Sequence, residues 1–355
     1  MNKIRIGNRF IGEGEKPYFI ADIASNHDGD IKRAFKLIEL AKESGADAAK
    51  FQNFKAEKIV SRNEFESIGK QLSHQSSWKK SVYEVYKDAS VPKDWTGKLK
   101  EKCDEVGIEY MTSPYDFESV DLVNPYVNAF KIGSGDITWT EVLAYIASKS
   151  KPVILATGAS SMKDVERAMK VIQSINKNIV IMQCNTNYTA SSENYKYVNL
   201  NVLKKYKEMF PNAVLGLSDH THGYVTVLGS IALGACVIEK HFTDDNNRTG
   251  PDHKFSMNPE VWRDMVDRAM ELWYSLGDGI KKIEENEKET VMVQRRSLYF
   301  TADMKLGRVL KKEDFFPVRP IKEDGIPPYE IEKIVGKTLV KDVKKDNYIK
   351  WEDIK

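Results

Sequence analysis

Eight short apolar runs, separated by helix-length amphipathic segments, constrain this chain more than any other feature of it. They are FIADIA (19–24), AAKF (48–51), IEYMTS (108–113), AFKIGS (129–134), VILATG (153–158), IVIMQC (179–184), AVLGLS (213–218) and CVIEKHF (236–242). The runs are continuous rather than alternating, as strands buried on both faces should be. Between the first two, AFKLIELAKESGA places Phe35, Leu37, Ile38, Leu40 and Ala41 on roughly one helix face and closes at Gly45. MKDVERAMKVIQSI repeats the pattern, and WRDMVDRAMELWYSL (262–276) is the last such helix. Eight β-then-α units predict a parallel (β/α)8 TIM barrel over residues 1–280. A charged, partly helical connector over 281–294 then leads to residues 295–355. There, short β-type runs broken by Gly and Pro turns predict a small β-rich domain, near the lower limit for independent folding.

Composition excludes several classes. Basic and acidic residues nearly cancel, 54 against 52, which leaves no charge footprint for nucleic acid or an anionic membrane. No apolar run approaches membrane-spanning length, and the first residues lack the apolar core of a signal peptide. Cys103, Cys184 and Cys236 show no paired or metal-site spacing, so reduced thiols in a cytoplasmic protein are expected.

The chemistry-capable residues sit at the ends of the runs, where barrel enzymes carry their active sites. They are Asp22 and Asn26, Lys50 and Gln52, Thr112 and Ser113, Lys131 and Ser134, Thr157, Asn185 and Thr186, Ser218 and His220, and Glu239 and His241. His220 and His241 end neighbouring runs. Adjacent strands lie about 5 Å apart, so both imidazoles can reach one divalent ion. A mixed nitrogen and oxygen site with open positions suits Mn²⁺, with Mg²⁺ or Co²⁺ as alternatives, and imidazole alone does not exclude Zn²⁺. His222 reads equally as a cap or surface residue. Lys50 and Lys131, with Thr112, Ser134 and Ser218, form a pocket for a phosphate and a carboxylate. Internal ion pairs to Asp22, Asp136 or Glu239 are the competing reading. Asp22 and Glu239 are candidates to position or deprotonate a water. Gly-Pro-Asp presents Asp252 to a ligand, with His253 beside it read as a surface residue. The long polar segment 67–87, which contains His74, reads as a lid. Arg319, between two prolines, is suited to clamp an acidic or hydroxyl-rich ligand.

The motifs IADIASNHDGD, GADAAKFQNFKAEKIVS, TSPYDFESVD, FKIGSGDI, VILATGAS, LGLSDHTHG, VIEKHFTDD and GPDHKFSMNPE follow one another over residues 18–260. In that order they resemble the sialic acid synthases, which condense phosphoenolpyruvate with an N-acetylated amino sugar. Residues 295–355 resemble that family's antifreeze-like (SAF, β-clip) domain. The resemblance implies that His220 and His241 bind Mn²⁺ or a similar ion. It implies that Lys50, Thr112, Lys131, Ser134 and Ser218 hold phosphoenolpyruvate, with Thr186 close by. It implies that Tyr188, Asp252 and Arg319 touch the sugar, and Asn26, Gln52 and Asp136 are placed on the same side. It also implies a homodimer in which one subunit's C-terminal domain, with Arg319, covers its partner's barrel. The sequence departs from the family where Asp22 and Asp136 replace Glu and where Thr186 replaces Asn or Ser. Those departures bear on the acceptor more than on the reaction. A Schiff-base pyruvate aldolase using Lys50 or Lys131, a metal hydrolase, and a non-catalytic sugar- or ice-binding protein are the alternatives.

Overall fold

In the computed structural model, which describes residues 3–68, 75–76, 78–189 and 191–355, each of the eight runs forms a parallel strand. Two strands precede them: Lys3–Ile6 (β1) and Arg9–Gly12 (β2) form an antiparallel hairpin. The eight are Tyr18–Asp22 (β3), Ala48–Asn53 (β4), Glu109–Pro114 (β5), Phe130–Ile132 (β6), Val153–Ala156 (β7), Ile179–Cys184 (β8), Val214–Asp219 (β9) and Val237–His241 (β10). Their order is β5-β4-β3-β10-β9-β8-β7-β6. The end strands β5 and β6 lie side by side, so the sheet is a nearly closed barrel.

Helices cover the outside because their sequences give them one apolar stripe. In Ile31–Glu43 (α1), Ala34, Leu37, Ile38 and Ala41 are buried, and Asp30 caps the start by accepting from the Lys32 amide. In Met162–Ile175 (α8), Val165, Ala168, Met169 and Ile172 repeat that spacing behind a reciprocal Ser161–Asp164 capping box. Pro259–Leu276 (α11) starts on an Asn258 cap with proline in its first turn.

Strand alternation sorts the barrel into two cores. Outward residues such as Phe19, Ala21, Phe51, Tyr110, Phe130, Leu217 and Ile238 pack under the helices. Inward residues Ile20, Ala48, Met111, Ile154, Val180, Val214 and Val237 fill the barrel floor, and the hairpin's Ile4, Ile6 and Ile11 close it from below. The next inward layer up is polar: Asp22, Lys50, Lys131, Ser218 and Glu239. This layer forms the barrel mouth.

The chain divides into two units, residues Met1–Gly277 and Asp278–Lys355. In the second unit, helix Lys288–Gln294 (α12) falls in the segment expected to be a connector. Strands Ser297–Phe300 (β11) and Phe315–Val318 (β12) pair antiparallel, and short bridges such as Met304–Val343 and Leu339–Ile354 complete the module. Leu298, Phe300, Leu310, Phe315, Ile326, Leu339 and Ile349 give it a core of its own. Among the described residues no helix is long and apolar enough to cross a membrane.

Candidate active site

Asp22, Lys50, Lys131 and Glu239 close a four-charge network at the barrel mouth. Parallel register sets Asp22 beside Lys50 and beside His241, and Glu239 beside Ser218. Lys50 Nζ lies 2.7 Å from Asp22 Oδ2 and 3.8 Å from Glu239 Oε2. Lys131 Nζ lies 3.3 Å from Glu239 Oε1, which also accepts a hydrogen bond from Ser218 Oγ at 3.0 Å. Burial alone would lower the Lys50 pKa, but Asp22 and Glu239 outweigh it and raise it, so the ammonium stays charged. Burial would likewise raise the Glu239 carboxyl, yet Lys131 and Lys50 hold it well below the usual range. Both lysines are therefore ion-paired, and the four charges cancel.

His220 and His241 face each other above this layer, with ring centroids 5.4 Å apart. His220 Nδ1 is 2.8 Å from the Asn185 carbonyl, which assigns the proton to Nδ1 and leaves Nε2 a free lone pair. Burial, and then His241, push the His220 pKa down, so it is neutral. His241 Nδ1 is buried with no hydrogen-bond partner among the described residues, and its Nε2 lies 3.5 Å from Asp22 Oδ2. Two facing imidazoles with unspent nitrogens fit a cation as part of its shell. Among the described residues no cluster of three or more His, Cys, Asp or Glu side chains is arranged to hold one.

The polar cavity opens past Gln52, Tyr115, Tyr188 and His241 into a second chamber. Phe54, Trp78, Tyr86, Tyr115 and Tyr188 line the second chamber, and Asp252 stands at its rim. The Tyr188 ring lies 4.3 Å from that of His220, edge to face. Asp252 is held by Ser25, whose Oγ donates to it at 2.6 Å. Its loop is locked by His253, which is fully buried rather than at the surface: Nε2 is 2.9 Å from Asp28 Oδ1 and Nδ1 is 2.7 Å from Thr243 Oγ1.

Of the residues expected at the site, Asp22, Lys50, Gln52, Lys131, Ser134, Tyr188, Ser218, His220, Glu239 and His241 line the polar cavity together. Thr112 does not. It points outward and donates to Asn53 Oδ1 at 2.6 Å, because its neighbour Ser113 takes the inward position. Asn26 is a staple between loops, its amide donating to the Phe242 carbonyl and Ser256 Oγ at 2.9 Å each. Thr186 is not among the cavity's lining residues; it packs against Gly158, where a Cβ would fall 2.4 Å from Thr186 Cγ2 and 3.0 Å from Ser134 Oγ. Asp136 is half-buried near Lys131, and burial raises its pKa to about 6. His222 is exposed, and its carbonyl accepts from the Tyr195 hydroxyl. Arg319 is exposed in the second unit. His74 lies outside the described residues. Ser113, which closes the third run with Thr112, lines the cavity, as do Cys184 and Tyr115, the last of which was not singled out. Burial raises the Cys184 thiol to about 11, which leaves it a poor nucleophile.

Comparison with known proteins places this geometry. The model of the NeuB family matches residues 37–281, and that of the SAF domain matches residues 295–355. The chain belongs to the NeuB family. It is 36% identical over 342 residues to N,N'-diacetyllegionaminic acid synthase of Campylobacter jejuni, covering 95% of this chain and 99% of that protein. It is 31% identical to the pseudaminic acid synthase of the same species, covering 99% of both. Among solved structures, that of spore coat polysaccharide biosynthesis protein SpsE from Bacillus subtilis superposes with a TM-score of 0.66 at 30% identity, covering 99% of each chain.

Proposed function

We propose that this member of the NeuB family is a nonulosonic (sialic) acid synthase. It joins phosphoenolpyruvate to an open-chain N-acetylated amino sugar, consumes water, and releases phosphate and a 2-keto-3-deoxy nine-carbon sugar acid. The observation that carries this reading is the pairing of two buried lysines with two carboxylates directly beneath two facing imidazoles. Such a mouth, with an aromatic chamber beside it, suits a small multiply charged anion next to a larger neutral sugar.

The charge balance explains the parts. Without substrate, Lys50 and Lys131 are neutralised by Asp22 and Glu239. A phosphate and a carboxylate entering the cavity compete for the same ammoniums, and Ser113, Ser134 and Ser218 supply hydroxyl donors around them. A divalent cation held by His220 and His241, Mn²⁺ or in its place Mg²⁺ or Co²⁺, would add positive charge and act as a Lewis acid on the sugar aldehyde. The C3 carbon of phosphoenolpyruvate bonds to the aldehyde carbon, whose oxygen becomes a hydroxyl on taking up a proton, balanced by one that the adding water gives up. Positive charge develops at C2, where water adds, and the C2–O bond to phosphate then breaks to leave the ketone. Asp22 and Glu239, released from the lysines as the anion binds, orient that water and accept its proton. Tyr188, Gln52 and Asp252 face the sugar, and Arg319 reaches it from the partner subunit of a homodimer.

A Schiff-base aldolase needs a neutral lysine amine. Lys50 is instead held charged by Asp22 and Glu239, which weighs against that route. The test is phosphate release from phosphoenolpyruvate with Mn²⁺ and a panel of N-acetylated amino sugars, with and without EDTA. Release that requires one sugar and stops with EDTA is expected. Release unaffected by EDTA, or none with any sugar, would overturn the reading.

A further inference from the structure

The aim of His220 and His241 is set from behind the barrel wall. Asp219 precedes His220 on β9, Lys240 precedes His241 on β10, and the two are register partners. Alternation turns both away from the cavity, into the layer under the helices, where Leu217, Ile238 and Phe242 make an apolar surround. Each of the two side chains is only 1% exposed. Lys240 Nζ donates to Asp219 Oδ2 at 2.5 Å and to the Thr221 carbonyl at 2.8 Å. One ammonium on the neighbour of His241 thus grips the residue before His220 and the residue after it. Asp219 accepts further from Thr226 Oγ1 at 2.7 Å, from Thr221 Oγ1 at 2.9 Å and from the Thr221 amide at 3.2 Å. Thr226 lies in the first turn of helix Val225–Ala232 (α10), so that helix is tied to the same point.

Stability alone is a weak reason for such a pair. A buried ion pair is seldom better than apolar side chains of the same volume, and this one sits in an otherwise apolar layer. What it adds is position. Among the described residues His241 has no hydrogen bond at Nδ1; its ring packs against Phe255, with centroids 4.9 Å apart, and where that ring starts from is set by the backbone beside Lys240. We infer that Asp219 and Lys240 are a positioning pair, which sets the separation and aim of His220 and His241 so that both nitrogens meet one divalent cation. The inference rests on the proposed metal role of the two histidines.

The experiment compares the wild-type full-length protein with an Asp219→Leu/Lys240→Met double variant, which removes both charges and keeps the bulk. Mn²⁺ binding is followed by calorimetry and by the Mn²⁺ electron-spin signal, without substrate. Thermal melting reports the fold. The expected result is a folded double variant with Mn²⁺ affinity lowered at least about 10-fold, the range seen when groups that orient ligands are removed. A folded variant that binds Mn²⁺ as the wild type does would overturn the inference. Should the double variant fail to fold, Thr226→Val decides. It removes one donor to Asp219, and it is expected to weaken Mn²⁺ binding about 3-fold with an unchanged melt; unchanged binding overturns the inference. If the folded wild type binds no Mn²⁺, the histidine reading itself fails, and the inference falls with it. That outcome is distinct, because it needs no variant.

Discussion

Thr112 and Ser113 adjoin on β5 and face opposite sides of it, so they should fail differently. Ser113→Ala removes a hydroxyl from the cavity and is expected to raise KM for phosphoenolpyruvate about 10-fold, with little change in melting, as loss of one hydrogen bond to a charged group implies. Thr112→Val leaves Asn53 Oδ1 without its donor. It should cost about 1–3 kcal/mol of stability and leave KM alone. Steady-state kinetics paired with urea melts separate the two. Asp136 gives a pH signature. Its folded pKa of about 6 exceeds the ordinary value of 3.8, so the native state holds a proton that the unfolded chain releases. The stability this lends is full below the unfolded value and is lost as pH rises through about 6. Asp136→Asn should remove that pH dependence and be the more stable protein at pH 8, by on the order of 3 kcal/mol before relaxation of the site.

Elements carry the site in two ways, as rigid strand ends and as locked loops. The loop with Asp252 and Phe255 depends on His253, which joins Asp28 on the loop after β3 to Thr243 after β10. His253→Ala should destabilise the protein by about 2–4 kcal/mol, since it leaves buried partners unpaired and opens a cavity. It should also raise KM for the sugar while sparing KM for phosphoenolpyruvate, which kinetics at saturating levels of each substrate would show. All eight barrel strands were legible because strands buried on both faces write continuous apolar runs. Their polar ends pointed to the mouth, and the histidine pair and both lysines followed. Side-chain direction was the weaker signal. A run apolar on both faces hides its parity, and Thr112 was chosen over Ser113 although counting from Lys50 and Lys131 by register gives the inward position. The hairpin β1–β2 was missed although Ile4 and Ile6 alternate ahead of a Gly7-Asn8 turn. Strands of four residues carry little periodicity. His253 was misjudged because a turn-rich motif suggests exposure, whereas distant Asp28 and Thr243 bury it.

At the scale of the whole molecule, two units with separate cores share one proposed activity. Glu239 belongs to the first unit and Arg319 to the second. If Arg319 serves a partner's barrel, defects in the two residues should complement one another between subunits. Glu239→Gln and Arg319→Ala are each expected to lower kcat/KM at least 100-fold as homodimers, the scale for losing a preorganised polar group of an active site. Co-expression at equal levels makes roughly half of the dimers mixed, by random pairing in a two-fold assembly. In a mixed dimer the barrel with intact Glu239 belongs to the Arg319→Ala subunit and receives Arg319 from its partner. One site in two is then whole, and total activity should return to roughly a quarter of wild type. If Arg319 serves its own barrel, both sites of the mixed dimer are defective and nothing returns. Recovery on co-expression, measured as phosphate release per subunit, therefore distinguishes the swapped arrangement from a self-contained subunit.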